Sequence, residues 1–169
     1  MTDGEVVAAQ LGRPLRAAAE VVVRCPLALP VVTVVPPLLD DGTPFPTRYW
    51  LTCPLANRRI GRLEGAGGVK ALERYAESEP EFGARLEAAH TRYAAERDQH
   101  VPEGHRPAPS GGVAGSATGV KCLHAHYADH AAGNDNPVGE AAAPFVEPLD
   151  CVVPCVVDGA LNPAWTEPK

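Results

Sequence analysis

The densest group of residues able to bind a metal or carry out catalysis lies between positions 121 and 130. One cysteine and three histidines occur there: Cys122, His124, His126 and His130. Residues four apart share one face of a helix, so Cys122 and His126 would point in the same direction. Zinc binds thiolate sulfur and imidazole nitrogen readily, and the spacing therefore predicts that Cys122 and His126 are two metal ligands. His124 would be turned by about 160° from His126 around the helix axis, so it would face elsewhere.

Two further cysteines each follow a predicted strand and precede a proline. Cys25 lies in the sequence Arg-Cys-Pro, and Cys53 lies in the sequence Thr-Cys-Pro. If the two strands are neighbours, both thiols lie at a comparable position along the sheet, close to the ends of the strands. Cys53 would also lie at the start of a helix, where free N–H groups and the positive end of the helix dipole favour a thiolate. Both are candidate metal ligands, although a free cysteine is also common as a small core residue.

The last two cysteines, Cys151 and Cys155, lie four residues apart in a proline-rich carboxyl-terminal segment. Their thiols are suited to bind a zinc ion or an iron–sulfur cluster and so to close this segment over the metal.

The first hypothesis joins these residues in one zinc or iron–sulfur site. Cys53, Cys122 and His126 bind the metal in it. The remaining ligands come from Cys25 or from the two carboxyl-terminal cysteines. Such a site is structural when four protein ligands close it and catalytic when one position stays open.

Two alternatives stay open at this point. One is a thiol enzyme without a metal, with Cys53 as the nucleophile and His124 or His126 as the base that activates it. The other is an interaction module with purely structural cysteines, which contacts its partner through the carboxyl-terminal segment and three arginines of the helix after Pro54.

The strands that would position these residues predict an α+β fold. Segments rich in valine or aromatic residues at 18–24, 30–35 and 48–52 are typical of strands. Their short connections favour a small, mostly antiparallel, three-stranded sheet.

About four to five helices are expected to pack on this sheet, because apolar residues recur at helical spacing. The helices are expected over residues 5–11, 54–64, 69–77, 78–99 and 119–132. Ser78 followed by Glu81 is a capping-box pattern and predicts the start of the longest helix. The Gly/Pro-rich residues 100–118 predict a long mobile loop, because few of them are apolar.

Length and composition favour one domain over residues 5–140, followed by an irregular tail over 141–169. A net charge of −6 and an aromatic content of 5% argue against nucleic acid as a partner. The longest apolar stretch, 31–39, is shorter than the roughly 20 residues that cross a bilayer, so no membrane span is expected. The first ten residues lack a secretory signal pattern. We therefore expect a cytoplasmic protein, whose reducing surroundings keep cysteines as thiols.

Several word-length motifs resemble one known family. They are Gln10–Pro14, Arg24–Pro26, Asp41–Thr47, Tyr49–Pro54, Val120–Ala128 and Asn136–Gly139. Together they resemble the domain of unknown function family 501 (DUF501) of high-GC Gram-positive bacteria, over roughly residues 5–140. Members of that family are often encoded near a septum-formation-initiator-like protein and an exopolyphosphatase-like protein. The resemblance therefore implies a protein partner in cell division or envelope biogenesis, and it implies no particular reaction.

Overall fold

A three-stranded antiparallel sheet forms the centre of the computed structural model, which describes residues 1–168. Strand β1 (Glu20–Arg24) pairs with β2 (Pro30–Val34), and β2 pairs with β3 (Tyr49–Leu51). Val31 and Val32 in the central strand are both buried, so the strand is covered on both faces. The predicted sheet is therefore confirmed, and its strand bounds differ by one or two residues from those expected.

Six α-helices lie within residues 1–168. They are α1 (Asp3–Leu11), α2 (Pro54–Gly65), α3 (Gly68–Ser78), α4 (Pro80–Asp98), α5 (Leu123–Ala131) and α6 (Pro137–Ala142). The α+β fold class is confirmed. The helix that the sequence pattern did not predict is α6, which starts with a proline and whose N-cap residue Asn136 accepts a bond from the Gly139 N–H. None of the helices within the described part of the chain has both the length and the apolar character needed to cross a membrane.

The predicted capping box at Ser78 is wrong. Ser78 ends α3, where its hydroxyl donates to the Tyr75 carbonyl oxygen at 3.1 Å. Helix α4 begins at Pro80, and its N-cap residue Glu79 makes no side-chain capping bond. Proline lacks an N–H and its φ angle suits the first helical position, so Pro80 determines where the longest helix begins.

The core lies between the sheet and helices α2, α4 and α5. Each of these helices contributes two large buried side chains: Leu55, Ile60, Leu86, Tyr93, Leu123 and Tyr127. The loop that follows α4 also reaches the core, since Val113 is fully buried. In addition, the buried guanidinium of Arg97 donates to the Gly111 carbonyl at 2.8 Å. The end of the predicted loop is therefore packed, contrary to the expectation that the loop buries almost nothing.

The carboxyl-terminal segment folds back onto α2. Its strands β4 (Val156–Val157) and β5 (Ala160–Leu161) form a small hairpin. Arg59 of α2 donates to two carbonyl oxygens of this segment, at 2.6 Å each, and the Arg58 guanidinium lies 4.6 Å from the centre of the Trp165 ring. All three α2 arginines thus contact the chain's own tail, because Arg62 also forms an ion pair with Glu167. Arg59 is mostly buried in these contacts, which corrects the expectation of an arginine surface left free for a partner.

Candidate metal centre

Two residues with positive φ angles precede Cys122, inside the segment predicted to be helical from residue 119. Gly119 (φ 74°) and Lys121 (φ 59°) adopt left-handed backbone conformations, so α5 begins only at Leu123. Cys122 is the N-cap residue of α5 and has an extended backbone. The prediction that Cys122 and His126 share a helix face is therefore wrong, and the Cys122 sulfur lies beside His124 instead.

Cys122 is one of three potential metal ligands that lie close together, and the three come from two helices. Glu64 belongs to the last turn of α2, whereas Cys122 and His124 lie at the start of α5. His124 Nδ1 is 3.2 Å from Glu64 Oε1 and 4.0 Å from Cys122 Sγ. All three atoms lie within 4.8 Å of one another, and residues 1–168 contain no second group of three such His, Cys, Asp or Glu atoms. These three residues are termed the Glu–Cys–His cluster.

The separations within the Glu–Cys–His cluster are close to those between ligands of one tetrahedral ion. Zn–S bonds near 2.3 Å and Zn–N or Zn–O bonds near 2.0–2.1 Å place neighbouring ligand atoms about 3.3–3.6 Å apart. The sulfur-to-nitrogen distance of 4.0 Å is long for a direct hydrogen bond. The spacing therefore leaves room for an ion between the ligands.

Backbone groups hold two of the three side chains in place. His124 Nε2 donates to the Asn57 carbonyl oxygen at 3.3 Å, which turns Nδ1 toward the cluster. Glu64 Oε1 accepts a bond from the Leu123 N–H at 2.7 Å. Histidines that bind metals usually donate their other ring N–H to a carbonyl or carboxylate, and carboxylate ligands are usually hydrogen-bonded too. The surroundings of the cluster thus resemble those of a metal site.

An open pocket of about 250 Å³ adjoins the cluster. It is lined by Thr47, Tyr49, Trp50, Leu51, Asn57, Cys122, His124 and Ala125. Cys122 and His124 are both only partly buried and form part of its wall. A small molecule in the pocket can therefore reach the sulfur and the imidazole ring.

The cluster favours the ionised forms of its cysteine and its histidine. Burial by itself raises the pKa of the Cys122 thiol, but the adjacent His124 and the Ala125 N–H outweigh burial, so the pKa lies below its ordinary value. Contact with Cys122, aided by the negative charge of Glu64, raises the pKa of His124 in turn. Thiolate is the form of cysteine that binds metals and attacks electrophiles.

His126 lies apart from this cluster, inside the core. The residue is fully buried, with Nδ1 3.0 Å from Asn136 Oδ1 and Nε2 2.9 Å from the Val120 carbonyl oxygen. Burial lowers the pKa of His126 to about 4. Both ring nitrogens face core oxygens, so the structure does not bring His126 to a cysteine, either as a metal ligand or as a base.

The other four cysteines line a second cavity. They are Cys25, Cys53, Cys151 and Cys155. This space, termed the four-cysteine cavity, has a volume of about 10 Å³, and most of its remaining wall is apolar. Cys25 follows β1, Cys53 precedes α2, and the other two belong to the tail. The structure thus places Cys53 with three other cysteines and Cys122 in the Glu–Cys–His cluster, rather than both in one centre.

Cys53 is poorly placed as a nucleophile. It is the N-cap residue of α2, as the sequence predicted, but only 6% of it is exposed. Burial raises the pKa of its thiol to about 11, despite the N–H groups of Leu55 and Ala56, and the nearby thiols of Cys155 and Cys25 act in the same direction as burial. The hypothesis of an enzyme with Cys53 as nucleophile therefore loses its main physical argument.

Sequence reasoning missed Glu64 and Asn57 as parts of the site. Both belong to α2, and their spacing of seven residues puts them on one face of that helix. Their shared face was the only sequence signal that the two residues act together. It was insufficient, because the local sequence does not show that this face of α2 packs against the start of α5.

The fold and the site define a class of protein, a small α+β domain with candidate metal ligands where one helix ends and another begins. Residues 21–143 match the family described as Protein of unknown function (DUF501), and the chain belongs to that family. The resemblance expected from the motifs is therefore confirmed. The matched region contains the whole Glu–Cys–His cluster, whereas Cys151 and Cys155 lie beyond it. Neither a curated protein nor a solved structure matches the chain.

Proposed function

We propose that the protein binds a zinc ion in the Glu–Cys–His cluster. The fourth coordination position of the ion is open, and a small ligand in the adjoining pocket reaches the zinc there. The observation that carries this proposal is the convergence of three different ligand atoms within 4.8 Å of one another. Carboxylate, thiolate and imidazole all bind zinc. The negative charges of Glu64 and Cys122 would balance the charge of the ion.

The open position makes this site catalytic in type. Structural zinc sites have four protein ligands, whereas catalytic sites have three and leave the fourth position to water or substrate. The pocket adjoins two of the three ligands, so it is the route by which a water or substrate group would arrive. Zinc there would activate a bound water or polarise a carbonyl group, which is the chemistry of hydrolases and related enzymes.

Zinc suits this ligand set better than an iron–sulfur cluster does. Iron–sulfur clusters are held by four cysteines, or by two cysteines and two histidines in Rieske centres. The Glu–Cys–His cluster offers one thiol only. A cytoplasmic setting is part of the proposal, because a reducing compartment keeps that thiol available.

The metal content of the full chain, purified without added metal or chelator, tests this proposal. Cys122→Ser and His124→Ala should each remove one equivalent of zinc, since each deletes one of three ligands. His130→Ala changes a histidine of the same helix outside the cluster, and it should leave the zinc content as in the unmodified chain. The proposal fails if the three variants hold equal zinc while thermal melts show that all are folded.

One observation favours a second function, in which Cys122 is a nucleophile without a metal. The Cys122 sulfur lies at the start of an α-helix and has the His124 ring beside it. In this case His124 takes the thiol proton, and the pocket holds an electrophilic substrate. The nucleophile is then Cys122, in place of the Cys53 that the sequence suggested.

Iodoacetamide distinguishes these two functions, because a bound zinc ion protects Cys122 from alkylation. Slow modification of Cys122 that accelerates after treatment with a chelator supports the zinc site. Rapid, stoichiometric modification of the protein as purified, with no change on chelation, supports the thiol nucleophile.

A further inference from the structure

Four of the five cysteines line one cavity although they come from three distant parts of the chain. The β1–β2 turn, the start of α2 and the tail each contribute to the four-cysteine cavity. Filling an apolar space requires small hydrophobic side chains, and valine or alanine would serve as well as cysteine. Four thiols around one space are, by contrast, the ligand set of a structural zinc site.

The size of the cavity fits a single ion. Its volume of about 10 Å³ is that of a site for one water or ion, because a water needs about 10–15 Å³ in the same measure. An iron–sulfur cluster contains several iron and sulfide atoms and needs more space than this. The dimensions therefore favour zinc over a cluster at this position.

Two of the four sulfurs also accept N–H hydrogen bonds. Trp165 Nε1 donates to Cys151 Sγ at 3.4 Å, and Gln10 Nε2 donates to Cys155 Sγ at 3.6 Å. The Cys53 thiol makes no such bond within the described residues, although it lies at the start of α2. Such donors stabilise negative charge on sulfur and commonly surround metal-bound thiolates.

Binding an ion requires these side chains to turn inward. No three of the four sulfurs lie within 4.8 Å of one another in the described residues. A cysteine side chain has a single torsion, and a change between its staggered rotamers moves the sulfur by roughly 3 Å without moving the backbone. Rotations of this kind are the movement that the binding of one ion in this cavity would require of its cysteines.

We infer that the four-cysteine cavity is a second metal centre, in which Cys25, Cys53, Cys151 and Cys155 bind one tetrahedral zinc ion. Four protein ligands leave no open position, so the centre is structural. The centre would hold the tail on the domain, because the domain supplies Cys25 and Cys53 and the tail supplies the other two ligands. The centre shares no residue with the Glu–Cys–His cluster and goes beyond the proposed function.

Zinc stoichiometry and tail cleavage test this inference on the full chain, purified under reducing conditions from zinc-supplemented cells. The double variant Cys151→Ser/Cys155→Ser should lose one zinc equivalent, and a protease should cleave its tail about tenfold faster because the segment opens locally. The matched control Cys122→Ser should leave the tail as protected as in the unmodified chain. Loss of zinc in one variant and not in the other shows which of the two centres is real.

Alkylation of the unmodified chain keeps the test valid if the double variant does not fold. With zinc bound, all four cysteines of the cavity should resist iodoacetamide, and a chelator should expose them together, as mass spectrometry of peptides would show. The inference is overturned if the folded double variant keeps the zinc content of the unmodified chain. It is also overturned if these cysteines react as free thiols in the zinc-supplemented protein, or if Cys151 or Cys155 forms a disulfide under the reducing conditions.

Discussion

Cys122 and Cys53 occupy the same local position in two different surroundings. Each is the N-cap residue of an α-helix, α5 and α2 respectively, and each lies beside backbone N–H groups of its helix. The pKa of the Cys122 thiol is nevertheless lowered, whereas that of Cys53 is raised to about 11. Location at a helix start therefore does not by itself decide whether a thiol is ionised.

Burial and charge account for the difference. Cys122 is partly exposed, faces a pocket and has an imidazole beside it, so its negative form has both a charged partner and solvent nearby. Cys53 lies in an almost closed apolar space with other thiols. The comparison teaches that an N-cap cysteine is reactive only where its surroundings stabilise the thiolate, and otherwise needs a metal to lose its proton.

The largest expected effect is a difference in alkylation rate between the two cysteines in metal-free protein. At pH 8 Cys122 should react at least about 100 times faster than Cys53, since the thiolate fraction falls tenfold for each unit by which the pKa exceeds the pH. Thiolates form as pH rises, so the rate for Cys122 should reach half its maximum below pH 9 and that for Cys53 only near pH 11. Peptide mass spectrometry after timed iodoacetamide treatment measures both. In urea the two rates should converge, and equal rates in the folded protein would contradict the comparison.

Loosening the tail should expose the thiols of the four-cysteine cavity and make them more reactive, as Cys122 is in its open pocket. Arg59→Ala removes charged hydrogen bonds to the Val146 and Pro148 carbonyls, at 2.6 Å each, from a mostly buried side chain. We expect the free energy of unfolding to fall by about 2 kcal/mol and alkylation of Cys151 to accelerate. Urea denaturation and peptide mapping measure the two effects. Arg62→Ala, which loses only an exposed ion pair with Glu167, should have a smaller effect on both, and an equal effect would argue against the role of Arg59.

Removing the imidazole should make Cys122 more like Cys53. In metal-free protein, His124→Ala should raise the pKa of the Cys122 thiol and slow its alkylation at pH 7 by about tenfold, because the charged partner of the thiolate is lost. The pH profile of the rate should move upward by a comparable amount. His130→Ala is the control and should leave the profile in place. A profile unchanged in both variants would mean that the helix start alone sets the reactivity of Cys122.

The smallest expected effect is on the stability that Glu64 gives to the start of α5. Glu64→Ala removes the acceptor for the Leu123 N–H at 2.7 Å and should lower the free energy of unfolding by about 1 kcal/mol in metal-free protein. Glu64→Gln keeps an acceptor oxygen and should cost less. Denaturation in urea compares the two variants. If both cost the same, the charge of Glu64 rather than its hydrogen bond supports α5.

The sequence predicted the sheet well because its signals are local. The two valine-rich segments within residues 20–34 are enough to indicate two strands, and the short connection between them favours an antiparallel pair. The start of α5 was misplaced because Lys121 adopts a positive φ angle, which lysine rarely does and no pattern signals. Cys122 therefore lies outside α5, and His126 faces core oxygens instead of the Cys122 sulfur.

The composition of the site was less predictable because its contacts are distant in the chain. Glu64 and His124 are 60 residues apart, and their meeting depends on how α2 packs against α5. The tail contacts have the same origin, since nothing local to α2 shows that Arg59 bonds the Val146 carbonyl or that Arg58 lies against Trp165. Residue types indicated candidate ligands, and only the tertiary fold could group them.

The return of the tail onto α2 also has a consequence for translation. Val146, which is fully buried, and the residues that follow it leave the ribosome after every strand of the central sheet and every helix around it. Until then Arg59 lacks its two carbonyl partners and the space beside Cys53 is open. A product that ends before Val146 would therefore contain the elements of the domain but expose an uncovered apolar surface, which is the feature that cellular proteases recognise in incomplete chains.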